Sequence, residues 1–219
     1  MTKLTPAPQP SHRLIPSKYP PIGLFDTVAT AADVEAVMEL AGWTNDRLLP
    51  ERLYRLPQSE WVHGRANSSV ILAAFLHVAP GGGRFNGRDL GAWYASAEIR
   101  TAAAEVAHHL RREAVARDVP GMTRVYRSYT ARLEGVFRDV RGEAALHDPA
   151  SYQTSQAFGE AERAAGRDGI VFDSVRHRGG VNAAAFRPSK ILDVVQAEHF
   201  EISVAAAERR IEVRRMAGS

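Results

Sequence analysis

The chain has 219 residues, 45% hydrophobic and 24% charged, the proportions of an ordinary soluble globular protein, which excludes disorder as its main state. It contains no cysteine, so a disulfide framework, a thiolate zinc site, an iron–sulfur cluster and a cysteine nucleophile are excluded together, and the simplest compartment is the cytoplasm. A formal charge of +3 leaves nucleic acid, nucleotide and acidic protein open as partners without choosing among them.

The length points to one large domain, or one domain with an appendage. Apolar runs such as Val70 to Leu76 fall far short of the roughly 20 residues that cross a bilayer, and the N-terminus lacks the apolar core of a secretory signal, so no membrane partner is expected. Pro6, Pro8, Pro10, Pro16, Pro20 and Pro21 lack backbone donors and predict an extended arm. Leu14, Ile15, Tyr19, Ile22, Leu24 and Phe25 are too apolar for a free tail and should lay that arm on the body. Thr30 with Asp33 starts a helix, and Val34, Val37, Met38 and Ala41 continue it at helical spacing to Gly42. Residues 1–50 thus read as an arm and helix packed on a body formed by residues 51–219.

Arg52 to Leu56 reads as a short strand, and Ser69 to His77 is an apolar run whose period does not separate helix from strand. Gly81 to Gly83 form a loop and Ala92 to Ala95 a short strand. Ser96 is placed to cap a helix from about Ala97 to Ala116, with Ile99, Ala103, Val106 and Leu110 as its apolar stripe. Val125 to Val140 reads as one bent strand or a pair, with a bulge at Gly135. A helix from about Tyr152 to Ala165 ends at Gly166, and strands follow near Ile170–Arg176, Ala183–Phe186, Phe200–Val204 and Arg210–Arg215. Helices early and short strands late indicate an α+β fold.

Three segments carry candidate chemistry. In the first, Gly81, Gly82 and Gly83 precede Arg84, Phe85 and Asn86, with Tyr94 on the next strand. Small residues let a backbone approach a ligand, the arginine offers a fork of donors for phosphates, and an aromatic ring can stack on a planar base. Neither a Walker loop nor a dinucleotide fingerprint is present, and the glycine run alone reads first as a surface turn. The second segment centres on Glu105. It lies more than a right angle from the apolar stripe, beside Ala102 and His109, as a solvated glutamate would. Ala102, Ala103, Ala104 and Ala107 equally allow a helix covered on two sides, with the glutamate lining a cleft. Glu105 and His109 are i, i+4 neighbours, but no third ligand is indicated, so no metal is assigned. In the third segment, Gly169 to Asn182, an apolar strand delivers Ser174 and Arg176 to one face and a glycine turn then presents Asn182. Its plain alternative is a hairpin with polar residues in water. A serine nucleophile is not indicated, because the Gly-x-Ser-x-Gly elbow is missing. The arginines at 111, 112, 209, 210, 214 and 215 alternate with Glu113, Glu208 and Glu212 without a recognition-helix signature, so direct nucleic-acid binding is not expected.

Taken in order, the three segments resemble the RES-domain family, toxins of bacterial type II toxin–antitoxin pairs. The resemblance rests on Gly82-Gly83-Arg84-Phe85-Asn86, on Tyr94 in Trp-Tyr-Ala-Ser, on Glu105 in Ala-Glu-Val-Ala-His-His, and on Ser174 in Gly-Ile-Val-Phe-Asp-Ser-Val-Arg followed by Gly-Gly-Val-Asn. It spans about Arg52 to Pro188, and the extra N-terminal residues resemble the longer, ParT-type branch. Phe85 stands where many relatives have tryptophan.

The resemblance implies an ADP-ribosyltransferase-like split β-sheet core with flanking helices and NAD as co-substrate in a cleft between two small sheets, with neither a prosthetic group nor a metal. It implies that Arg84 holds the diphosphate or nicotinamide ribose, Tyr94 stacks on nicotinamide, Glu105 acts at the ribose and Ser174 helps hold the NAD. Arg55, Asn86, Ser96, Arg176 and Asn182 are the further substrate-binding candidates. The implied activity is mono-ADP-ribosylation of a protein, phosphoribosyl pyrophosphate synthetase in the ParT-type branch. NAD phosphorolysis or hydrolysis is the alternative, and a non-catalytic nucleotide- or nucleic-acid-binding module the second. The implied partner is a cognate antitoxin forming a hetero-oligomer with the toxin.

Overall fold

The computed structural model describes residues 2–19, 23–42 and 50–217; the arm residues Pro20, Pro21 and Ile22 lie outside them. The described residues form nine strands: β1 (Leu4–Thr5), β2 (Ser11–Pro16), β3 (Trp93–Ser96), β4 (Gly121–Leu133), β5 (Phe137–Asp139), β6 (Gly169–Asp173), β7 (Val181–Ala185), β8 (Ile191–Ala205) and β9 (Ile211–Arg215). Five α-helices accompany them: α1 (Ala31–Gly42), α2 (Pro50–Leu53), α3 (Ser68–Leu76), α4 (Ile99–Ala116) and α5 (Gln153–Ala164).

The strands run in the order β1-β5-β6-β7-β3-β2-β4-β8-β9, antiparallel except for the parallel β5–β6 pair. This mixed sheet divides where β3 meets β2, because that junction is the single pair His12–Ser96. On one side lie β1, β5, β6, β7 and β3, and on the other β2, β4, β8 and β9. The stretch read as an extended arm is therefore part of the sheet: β2 pairs with β4 along six residues, from Ser11–Ala131 to Pro16–Tyr126.

Side chains alternate across the sheet with the period of two that a pleated strand imposes. Trp93, Ala95, Val171, Ala183 and Ala185 face one core, shared with α1 and α3 through Val34, Met38, Ile71, Leu72 and Phe75. Ala92, Ile170, Phe172 and Ala184 face the other side, where Phe85 and Phe158 of α5 pack on them. α4 covers the second half of the sheet with Ala102, Ala103, Ala107 and Leu110 against Leu14, Tyr126, Phe200 and Ile202. Helices α4 and α5 thus stand side by side over the two halves, with the junction between them.

Local physics explains where these elements begin and where the sequence reading needs correction. Thr30 and Asp33 form the reciprocal cap expected before α1: Thr30 N and Oγ1 donate to Asp33 Oδ2, and Asp33 N donates to Thr30 Oγ1. The apolar run left open is the helix α3, whose start is capped by Asp26 accepting from the backbone of Asn67 and Ser69. Arg52 to Leu56 is not a strand but the end of α2 and a turn. Leu53 and Leu56 are buried at a spacing of three, and Trp61 Nε1 donates to both of their carbonyls. Ser96 does not cap α4; it remains in β3, opposite Asn182 of β7, and the helix begins at Ile99. Of the two readings of Val125 to Val140, the pair is present, with Gly135 in the turn between β4 and β5.

Asp139, buried at the end of β5, ties the chain's beginning to the body. Its carboxylate pairs with Lys3 Nζ at 2.7 Å and accepts from Arg141 Nε at 2.9 Å and Nη2 at 2.8 Å. The Arg141 hydrogen bonds, aided by Lys3, hold this carboxyl well below its ordinary range. A folded-state value below the unfolded one contributes stability that is complete above the unfolded value, near pH 4, and fades as the pH falls through the folded one. Asp139→Asn is expected to lower unfolding stability at pH 7 by about 2 kcal/mol. In urea titrations the difference between the two proteins should begin to narrow below about pH 4 and keep narrowing as the pH falls further. A constant difference across that range would show that the charge plays no part.

Candidate functional site

A cleft of about 710 Å³ opens between α4 and α5, lined by Gly81 and Gly82, by His109 and Arg112 of α4, and by Tyr152 and Gln156 at the start of α5. The sequence-predicted residues gather beside it in two hydrogen-bonded groups.

The first group surrounds Glu105, which lies one turn before His109 on α4 and is half-buried rather than free in water. Glu105 Oε1 accepts from Ser174 Oγ at 2.7 Å and from Asn182 Nδ2 at 2.8 Å. Asn182 Oδ1 in turn accepts from Ser96 Oγ at 2.6 Å, which orients its amide so that nitrogen meets the carboxylate. Ser174 lies just beyond β6, where its hydroxyl also accepts from the backbone N–H groups of Arg176 at 3.2 Å and His177 at 2.9 Å. Its single proton is committed to Glu105, so Ser174 helps to hold the carboxylate in place. Among the described residues Oε2 of Glu105 takes no hydrogen bond, which leaves one carboxylate oxygen for a ligand. The turn carrying this group is pinned to α4 by His177 Nδ1 and Thr101 Oγ1, 2.8 Å apart.

The second group is the loop after Gly81. Tyr94 OH donates to Asn86 Oδ1 at 2.7 Å and accepts from Phe85 N at 2.9 Å, so the phenol braces the loop from β3. Burial pushes that phenol well above its ordinary value, and it stays protonated. Arg84 is 7% exposed; its Nη1 donates to the carbonyls of Leu146 at 3.2 Å and Asp148 at 2.9 Å, and its guanidinium lies 4.6 Å from the Tyr152 ring centre. Its Nη2 is buried with no partner. A buried donor without an acceptor is costly, and a ligand oxygen would remove that cost.

Arg176 links the two groups, its backbone on Ser174 and its Nη2 donating to Pro149 O at 2.8 Å, in the segment that also engages Arg84. The convergence of cations shows on His108: burial, then Arg176, His109, Arg112 and Arg111, pushes its imidazole down to about 4. Burial likewise lowers Arg84, with Arg176 adding to the effect. An anion entering this cleft meets the positive charge of Arg112 on its wall and of Arg84 and Arg176 beside it.

Arg55 joins neither group. It follows α2 in a turn, half-exposed, and pairs with Asp89 at 3.1 Å, so the strand position on which its assignment rested does not exist. The arginine on a strand beside the site is Arg13 of β2, which the sequence reading missed. Its Nη1 donates to Tyr94 O at 2.9 Å, its guanidinium covers the Trp93 ring at 4.8 Å, and burial pulls it down to about 10. No apolar alternation marks Ser-His-Arg-Leu-Ile-Pro as a strand, and the surrounding prolines obscure it further. Among the described residues no three histidine, aspartate or glutamate side chains come together as a metal site, and no helix is long and apolar enough to cross a membrane.

With this geometry in place, comparison with known proteins defines the class. The family described as RES domain matches residues 52–205, more than half of the chain. The chain belongs to the RES-domain family. Among solved structures, the chain is similar to one in the toxin–antitoxin complex MbcT–MbcA of M. tuberculosis, at 18% identity and a TM-score of 0.42, over 54% of this chain and 73% of that one. No curated protein matches it.

Proposed function

We propose that this protein is the toxin of a toxin–antitoxin pair that binds NAD between α4 and α5, breaks the nicotinamide–ribose bond and transfers ADP-ribose to a side chain of a protein. The observation that carries this reading is the grip of Ser174 and Asn182 on one oxygen of Glu105, leaving the other oxygen open beside the cationic cleft. In the proposed reaction the C–N bond breaks, nicotinamide leaves with the electron pair, and positive charge develops on the ribose. A carboxylate already held in place stabilises that charge without reorganising. The acceptor's lone pair then forms the new bond to the ribose carbon and its proton passes to solvent. Arg84, with a fork of donors and one nitrogen unpartnered, suits the diphosphate, and Arg176 supplies a second positive charge. Tyr94 and Asn86 act on this reading by holding the arginine loop, and Ser96 by orienting Asn182. An antitoxin that covers the cleft would close the approach to Arg84 and exclude NAD.

The test is to incubate the purified protein with NAD, with and without phosphate and with and without cell lysate, and to identify all products by mass spectrometry. ADP-ribose attached to a lysate protein, phosphoribosyl pyrophosphate synthetase being the first candidate, is the expected result. Free ADP-ribose or its 1″-phosphate as the sole product would replace transfer to protein with hydrolysis or phosphorolysis. Intact NAD under every condition would remove the enzymatic reading.

A further inference from the structure

We propose that α5 is a clasp for the arginine loop, with Gln156, Gly159 and Glu160 as positioning residues, an inference that rests on reading Arg84 as an NAD anchor. The loop from Gly81 to Gly87 is held on its inner side by Tyr94 and by Phe85, which is fully buried with its ring centre 4.8 Å from that of Phe172 in an edge-to-face contact. Its outer side is held by one helix. Gln156 Nε2 donates to the carbonyls of Gly81 at 2.7 Å and Gly83 at 2.9 Å, and one turn later Glu160 Oε1 accepts from Gly87 N at 2.7 Å. The two ends of the loop are thus fastened by side chains at i and i+4.

Between these side chains the helix backbone itself meets the loop. A Cβ at Gly159 would stand 2.1 Å from the carbonyl oxygen of Phe85, so only glycine lets α5 lie this close. The same constraint appears across the contact at Gly82, which has φ +71° and whose Cβ would stand 2.4 Å from Asn86 O. Arg84 sits between the two fastened ends, and Tyr152, immediately before α5, stacks on its guanidinium. One rigid element therefore sets both the path of the loop and the plane of the arginine. Gln156 and Glu160 also line the cleft, so the clasp lies where the diphosphate would enter.

The test compares Gln156→Ala, Gly159→Ala, Glu160→Ala and Glu160→Gln in the full chain, reading amide hydrogen exchange at Gly83 and Gly87, and KM and kcat for NAD. Loss of the clasp is expected to speed exchange at both amides and to raise KM about tenfold, with kcat changed less than about threefold. Glu160→Gln should restore the KM, because its carboxamide oxygen accepts the same Gly87 N–H. Thermal unfolding of the Gln156 and Glu160 variants should stay near that of the parent. Unchanged exchange would overturn the clasp, and faster exchange with an unmoved KM would overturn its role at the site. Failure of the unsubstituted protein to bind or turn over NAD would overturn the NAD reading and this role with it, whatever the exchange data show.

Discussion

Glu105→Gln is expected to slow NAD consumption by about a thousandfold while leaving NAD affinity within about threefold of the parent. Glutamine keeps the oxygen that Ser174 and Asn182 grip, at 2.7 and 2.8 Å in the parent, so the side chain should hold its place. What it loses is the negative charge. In bound NAD the positive charge is on the nicotinamide ring, and as the C–N bond breaks it moves onto the sugar, so the loss of the carboxylate charge falls mainly on the rate. A thousandfold effect is about 4 kcal/mol of transition-state stabilisation, reasonable for a fixed charge in a site partly shielded from water. Single-turnover consumption with calorimetric binding separates the two quantities. A variant that binds and turns over NAD like the parent would remove Glu105 from the chemistry, and one that loses binding would make it an anchor instead.

Arg84→Lys is expected to weaken NAD binding by about 30-fold, with a smaller effect on the rate for bound NAD. In the parent one nitrogen of the fork is spent on the carbonyls of Leu146 and Asp148, and the buried Nη2 remains for the ligand. Lysine has a single ammonium, which cannot serve the 146–148 segment and a phosphate in the same planar geometry, and it loses the stacking on Tyr152. Equilibrium titration with NAD tests this. Equal affinity would show that charge alone suffices at this position. A large fall in kcat with unchanged affinity would move Arg84 from binding to the reaction.

Much of the site was legible because its chemistry is local. Arg84 after a run of glycines, Glu105 among alanines, and Ser174 at the end of an apolar strand each stand out as polar groups where packing does not require one. Their order along the chain identified the family that residues 52–205 match. The α1 cap and the extents of α4 and α5 were equally readable, since caps and helical spacing act between near neighbours. The reading failed where one partner lay far away. Residues 191–199 are mostly exposed and show no apolar alternation, yet they form more than half of β8 because β4 pairs with them. Leu-Tyr-Arg around Arg55 looks like a strand in isolation, while the prolines around residues 11–16 hide the strand that carries Arg13.

The inventory of reactive groups, the absence of thiol chemistry and the local elements that carry Arg84, Tyr94, Glu105 and Ser174 follow from composition and near-neighbour spacing. Long-range packing brings β2 into the sheet beside β3, turns Glu105 toward Ser174 and Asn182 instead of water, and sets α5 against the arginine loop. The reason is physical. Helix spacing, caps and charge act within a few residues, whereas Ser11 meets Ala131 and Glu105 meets Asn182 across long stretches of chain. Which side of an alanine-rich helix is covered is settled when a second layer packs on it.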